Sequence, residues 1–353
     1  MSCSFGEKFR ITIFGQSHSE AIGVVIDGIP AGIKLDTDKI ESFMARRAPG
    51  KNSYSTKRNE ADKPEIISGI VDGVTCGAPL CAVIRNNDRH SKDYSKLRTL
   101  PRPSHSDLAA YFKHNGFNDI RGGGNFSGRM TAPMCFAGAV AMQILEEKGI
   151  RIAAHIEKIA GVCDSRFDPV NTDLSVLTGK EFPVLDDSVR DQMLEKIKTA
   201  RLNLDSVGGI IECAVTGMPV GIGDPMFDGI ENVISRAVFA VPAIKGIEFG
   251  NGFGCADLTG SQNNDEFTVT DGKITTKTNN HGGILGGISS GMPIIFRVAV
   301  KPTPSISKPQ MTVNLNTLSP EELVIEGRHD PCIVPRAVPC IEAAAALAII
   351  NLL

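Results

Sequence analysis

The chain has 353 residues, 42% of them hydrophobic and 22% charged, the balance of an ordinary globular protein. A net charge of −3 provides no positive field to recruit nucleic acid, and no Cys/His cluster has zinc-ligand spacing, so no metal is expected. Nine cysteines without a C-x-x-C pair, and a start (Met1-Ser2-Cys3-Ser4) without a signal-like run, point to free thiols in a reducing cytoplasm.

Residues 8–14 alternate and predict a strand, followed by Gly15-Gln16-Ser17-His18; residues 23–28 predict a short buried strand. A helix is expected over 36–47, with Asp36, Asp38 and Glu41 at its start and Arg46 and Arg47 at its end, as the helix dipole prefers. Ala48-Pro49-Gly50 stops it. A strand is expected over 66–71. Arg102-Pro103-Ser104-His105-Ser106-Asp107 and Arg121-Gly122-Gly123-Gly124-Asn125-Phe126-Ser127-Gly128-Arg129 come next. A second helix follows over 131–148, stopped by Gly149, and a third over 187–201 with Val189, Met193 and Ile197 on one face.

Strands are expected over 209–216 and 294–300, and a hairpin over 268–275 with Asp271-Gly272 at its turn. A last helix is expected to start at Pro339 and run to the end. Its apolar run over 343–353 is too short to span a bilayer. Strands and helices do not alternate strictly, which favours α+β with antiparallel sheets over a doubly wound parallel sheet. No linker or fixed-period repeat divides the chain, although its length alone permits two domains.

Several segments can carry chemistry. Glycines 122–124 before a helix let backbone amides approach an anion, and Arg129 adds a fixed charge; the bland alternative is a flexible loop capped by Ser127. His18, just past a strand end, suits proton transfer near neutral pH, or is a loop histidine bonded to backbone. Asp107 is placed to orient His105, although the segment also reads as a turn. Arg328-His329-Asp330-Pro331 offers an anion holder and a proton acceptor, or a salt-bridged turn.

Asn280-His281-Gly282-Gly283-Ile284-Leu285-Gly286-Gly287 is a loop able to approach a flat ring, or a tight turn. Two basic clusters (Arg46, Arg47, Lys51, Lys57, Arg58; Arg85, Arg89, Lys92, Lys96, Arg98, Arg102) flank the histidine loops without matching acidic runs, which favours small anionic ligands. Scarce aromatics and 36 glycines fit backbone groups brought close to ligands.

Lys301-Pro302-Thr303-Pro304-Ser305, Gly327-Arg328-His329-Asp330-Pro331-Cys332 and the segments around His18, His105 and Gly122 together resemble the signature of chorismate synthase, in that family's order and spacing. The resemblance implies one domain over 1–353 with helices sandwiched between two antiparallel sheets, a homotetramer, and a cytoplasmic enzyme. It implies elimination of phosphate and a ring proton from 5-enolpyruvylshikimate 3-phosphate to give chorismate. The cofactor it implies is reduced FMN, with NADPH as one source of electrons.

By motif position, His18 resembles the acid beside the substrate phosphate. His105 resembles the residue that protonates the flavin, Asp330 the base, and Ser127 a hydroxyl in the same relay. Arg47, Arg102, Arg129 and Ser53 match substrate-binding positions. Asn125, Phe126, Ser127, Pro242, Ala243, Gly286, Lys301, Pro302, Thr303, Pro304, Ser305 and Arg328 match cofactor-binding positions.

The chain departs from the family pattern at Gln16, Ser19, Asn125, Phe126, Gly128 and Met130. It departs again at Ser53, where Arg is common and where Lys51 or Lys57 is a replacement charge, and at Pro242, where Asn is common. These departures motivate an alternative, a non-catalytic descendant that binds flavin or a phosphorylated ligand. A net hydride-transfer oxidoreductase is weaker, because no nicotinamide fingerprint is present. Pure binding does not require His18, His105 and Asp330 together.

Overall fold

A computed structural model describes residues 3–50, 62–87, 96–325 and 329–353. The alternating start forms Arg10–Gly15, which pairs with Ala21–Asp27 on one side and Ser4–Phe5 on the other. Leu80–Arg85 and then Pro64–Ser68 extend this into a five-stranded antiparallel sheet. The strand expected over 66–71 breaks at Gly69, whose φ of +90° turns the chain; Ile70–Val71 pairs instead with Val74–Thr75.

A second five-stranded antiparallel sheet runs in the order Ile244–Phe249, Ile294–Val300, Gly209–Thr216, Arg151–Ile159, Val162–Cys163. The hairpin is present as Phe267–Thr270 and Lys273–Thr276, with Asp271 and Gly272 both at positive φ.

Seven helices are described: α1 (Thr37–Arg47), α2 (Asp107–Lys113), α3 (Thr131–Glu147), α4 (Asp187–Leu202), α5 (Ile230–Val238), the short α6 (Gly260–Asn263) and α7 (Val334–Leu352). The Asp36 side chain caps α1 by accepting from the Lys39 amide at 3.0 Å. α3 and α7 are apolar nearly all round, the mark of a helix with no solvent face. α3 packs on the first sheet and α7 on the second, with the two helices against each other, so helices lie between the sheets. A Cβ at Gly138 of α3 would fall 2.3 Å from the Ala343 Cβ of α7, which shows how closely the two helices approach.

α7 begins at Val334, five residues before the predicted start, and carries Pro339 inside it. Pro335 occupies the first turn, where a missing N–H costs nothing. Burial of the segment on both sides outweighs the helix bond that Pro339 forfeits. At this length α7 passes the size and hydropathy test for a membrane span, but 83% of its apolar window is buried inside the molecule.

The Arg151–Ile159 strand escapes sequence patterning because it turns His155 and Glu157 inward. His155 is fully buried, with Nδ1 3.2 Å from Asp164 and Nε2 2.8 Å from Glu212. Burial pushes its pKa down, but the hydrogen bonds to Asp164 and Glu212 outweigh that and hold it above the ordinary value.

The charged imidazole therefore stabilises the fold fully below its unfolded pKa, and the contribution is lost as pH rises through the raised folded value. His155→Ala strands two carboxylates and is expected to cost about 3–5 kcal/mol in urea unfolding at mildly acidic pH. The deficit should shrink as pH rises; a pH-independent loss below about 1 kcal/mol, the size of an ordinary hydrogen bond, would refute the ion-pair assignment.

Candidate active site

The loop after the first strand is pinned to the glycine loop. The Ser17 amide donates to the Gly124 carbonyl at 3.1 Å. Ser19, one of the departures, is absorbed locally: its hydroxyl lies within hydrogen-bond reach of the Gln16 and Ala21 carbonyls and accepts from the Gln16 amide. Asn86 ties this loop to the next, donating to the Ser19 carbonyl at 2.9 Å and accepting from Arg129 Nε at 2.9 Å.

Glycines 122, 123 and 124 all take positive φ. A Cβ at Gly122 would fall 2.5 Å from the His18 ring and 2.5 Å from the Ser17 hydroxyl. A Cβ at Gly123 would fall 3.3 Å from the His105 ring. Gly122 and Gly123 are thus a spacer between the two histidines, at positive φ where a side chain is strained.

His105 is oriented as its spacing suggested. Its Nδ1 lies 2.6 Å from the Asp107 carboxylate. Arg102 Nη2 also lies 3.1 Å from Nδ1. An arginine only donates, so the shorter contact assigns the Nδ1 proton to Asp107 and leaves Nε2 to work. Arg102 grips Asp107 through Nε at 2.7 Å and Nη2 at 2.8 Å, and donates from Nη1 to the Ser305 hydroxyl at 3.1 Å. Burial pushes the Asp107 carboxyl up, but hydrogen bonds from Arg102 and His105 outweigh this and hold it well below the usual carboxylate range.

Arg47 and Arg129 are both buried and share one carboxylate: Asp62 accepts from Arg47 through one oxygen and from Arg129 through the other. Arg47 also donates to the Thr131 hydroxyl at 3.1 Å. Burial raises the Asp62 pKa, yet Arg47 and Arg129 together lower it below the ordinary value. Asp330 pairs with Arg336 at 2.5 Å, and Arg336 Nε donates to the Arg47 carbonyl at 3.0 Å. Lys301 Nζ donates to the Ser104 carbonyl, and Ser127 caps the short turn that carries Arg129.

These groups surround a cavity of about 840 Å³. It brings together Arg47, Arg102, His105, Asn125, Phe126, Ser127, Arg129, Pro242, Ala243, Lys301, Thr303, Pro304, Ser305 and Asp330 of the predicted set. His18 lies behind Gly122, which does line the cavity. Pro302 packs behind the wall against Gly208. Gly286 is not part of the lining; it sits in the turn between Ile284–Leu285 and Ile288–Ser289, and the glycine run around it makes a tight turn.

Ser53 and Arg328 lie outside the described residues, as do Lys51, Lys57, Arg58, Arg89 and Lys92. Of the other basic residues, Arg46 leaves the site to pair with Glu342, and Arg85 pairs with Glu20 and Glu65.

Sequence reasoning missed Asp62, Lys245, Arg336 and Cys340. Asp62 carried no local signal, because its partners come from α1 and the turn before α3. Arg336 was hidden by placing the helix start too late. The lining cations outnumber the carboxylates, so the cavity suits a small molecule bearing several negative charges. Two buried polar atoms of the lining residues, Thr303 Oγ1 and His329 Nε2, have no protein partner and remain for a ligand.

A helix-filled sandwich of antiparallel sheets around a cation-lined cavity defines a class of small-molecule enzymes. A family model described as chorismate synthase matches residues 9–353, and the chain belongs to that family. It is similar to a chorismate synthase of Dehalococcoides mccartyi, 45% identical over 100% of this chain and 96% of that one. A chorismate synthase of Methanococcoides burtonii is 46% identical over 99% of this chain and 94% of that one. A crystal structure of chorismate synthase superposes with a TM-score of 0.72 at 25% identity, over 99% of this chain and 92% of that one.

Gly122→Ala is expected to displace the His18 ring, and a shift of about 1 Å in a catalytic group costs about a hundredfold in turnover. Steady-state kinetics with a melting curve as control checks this; near-normal turnover in a folded variant would show that the spacer is not needed.

Proposed function

We propose that this chain catalyses the anti-1,4-elimination of phosphate and a ring proton from 5-enolpyruvylshikimate 3-phosphate, giving chorismate, with reduced FMN bound beside the substrate. One observation carries the proposal: one cation-lined cavity is bordered both by a carboxylate-oriented histidine, His105, and by an arginine-held carboxylate, Asp330. Membership of the family supports it. One domain, a cytoplasmic location and a homotetramer belong to the same proposal.

The ring proton is not acidic and the phosphate leaves from an allylic carbon, so a lone base faces a high barrier. The chemistry that bound reduced FMN supplies is electron density lent to the substrate as phosphate departs and recovered as the proton is lost. The residues present fit such a group: Asn125, Phe126, Ser127, Pro242, Ala243, Lys301, Thr303, Pro304 and Ser305 all line the cavity, and the unpartnered Thr303 hydroxyl is among them. Arg328 completes the assigned set by motif position, and Pro302 and Gly286 support it only from outside the lining.

Arg47, Arg102 and Arg129 bind and orient the substrate anions, with Ser53 assigned to the same set. Asp62 and Asp107 keep those guanidiniums fixed. His18 holds the proton for the departing phosphate from its place behind Gly122. His105 holds and moves a proton at Nε2, Ser127 supports that relay, and Asp330 accepts the ring proton while Arg336 holds its other oxygen.

Anaerobic turnover tests the reading. Protein, photoreduced FMN and 5-enolpyruvylshikimate 3-phosphate should release chorismate and phosphate in equal amounts. Photoreduction makes the outcome independent of whether NADPH is the natural reductant. FMN binding without product would favour the non-catalytic binding alternative.

Two variants test the roles. His105→Ala should keep FMN binding and lose about 10²–10⁴-fold in turnover; unchanged turnover would remove its proton-transfer role. Asp330→Asn keeps shape and removes the base, with a loss of similar size expected, so near-normal chorismate formation would refute that assignment.

A further inference from the structure

Two thiols meet at the edge of the cavity. Cys135 of α3 and Cys340 of α7 place their sulfurs 3.8 Å apart, with the Cys135 thiol donating to Cys340 Sγ. Cys340 is buried, at 3% exposure, but contributes to the cavity lining; Cys135 is fully buried behind it. The helices cannot drift apart, because α3 and α7 touch through Gly138 and Ala343 one turn further on. The pair is therefore held in near-contact, with Cys340 at the cavity wall and Cys135 one layer deeper.

We propose that Cys340 is a peroxide-reactive thiol of the cavity and that Cys135 is its resolving partner, so that hydrogen peroxide closes a disulfide between α3 and α7. The Cys340 thiolate attacks one peroxide oxygen, the O–O bond breaks, and the leaving hydroxide takes a proton to become water. Cys340 is then a sulfenic acid. The Cys135 thiol gives up its proton and attacks the Cys340 sulfur, expelling the sulfenic oxygen as a second water. The two thiols lose two electrons, and the peroxide gains them.

The surroundings favour this division of roles. The hydrogen bond from Cys135 lowers the Cys340 pKa below an ordinary thiol despite its burial, helped by the charge of Arg47. Burial pushes the Cys135 thiol well up, so it remains the proton-bearing partner. The Cys340 thiol also reaches the Arg336 carbonyl at 3.4 Å, a contact it surrenders on ionising. That carbonyl belongs to the residue that holds Asp330, so a disulfide here alters the cavity at its acid–base end.

The test uses the full chain, fully reduced, desalted anaerobically and exposed to graded hydrogen peroxide. It is then denatured, alkylated and mapped by mass spectrometry. A Cys135–Cys340 linked peptide lighter by two hydrogens should form before the exposed Cys76, Cys163 and Cys255 are oxidised. Cys340→Ser should abolish the linkage and leave Cys135 alkylatable. Cys135→Ser should leave a sulfenic acid on Cys340 that dimedone captures.

Recovery of both cysteines in alkylated form, at doses that have already oxidised the exposed ones, would overturn the proposal. The readout is covalent and independent of turnover, so a failed elimination assay and a failed disulfide are separate results.

Discussion

Everything at this site depends on burying guanidinium groups without stranding their charge. An anion-binding cavity needs its cations inside, where an uncompensated charge costs several kcal/mol. Arg47, Arg129 and Arg102 meet this by sharing two buried carboxylates, Asp62 and Asp107. Each carboxylate is held ionised by the arginines it serves, so the network is mutual. The same pairs fix the arginine planes in space. Asp62 therefore binds α1 to the short turn before α3, and Asp107 binds the first turn of α2 to the loop that carries His105.

The two long apolar helices provide the frame on which this network rests. α3 starts at Thr131, one short turn after the glycine loop, and α7 starts at Val334, four residues after Asp330. Their tight contact through Gly138 and Ala343 therefore ties the helix that follows the glycine loop to the helix that follows Asp330. The glycine loop adds a second constraint at shorter range. With no side chain at 122 or 123, the backbone slots between His18 and His105, and both rings lean on it. The familiar motifs converge because three separated segments pack on one run of three glycines. The departure at Ser19 is harmless for a local reason: its hydroxyl closes the turn with Gln16.

Much of the architecture was legible in the chain. α1, α3 and α4 announced themselves through caps, periodicity and a terminal glycine, and the Asp271-Gly272 hairpin through its turn dipeptide. The Arg151–Ile159 strand did not, because His155 and Glu157 point inward where alternation expects apolar groups; their partners lie on other strands and loops. α7 was read five residues short because local rules treat Pro339 as a start, whereas packing on both faces keeps the helix continuous through it.

The sequence by itself determined the parts list: the histidines, the glycine spacer, the arginines and the Lys301–Ser305 segment. These are motifs of adjacent residues, and adjacency is what a sequence displays. Its basic clusters beside those motifs, in a chain of slight net negative charge, pointed to small anionic ligands rather than nucleic acid. Only the tertiary structure decided which cations face the cavity. Arg47 turns inward to Asp62 while its neighbour Arg46 turns away to Glu342. It also brought Arg336 to Asp330, and Cys340 to Cys135 across 205 positions of chain. The physical reason is that a buried charge or thiol takes its character from whatever the fold packs against it, and those neighbours are remote in sequence.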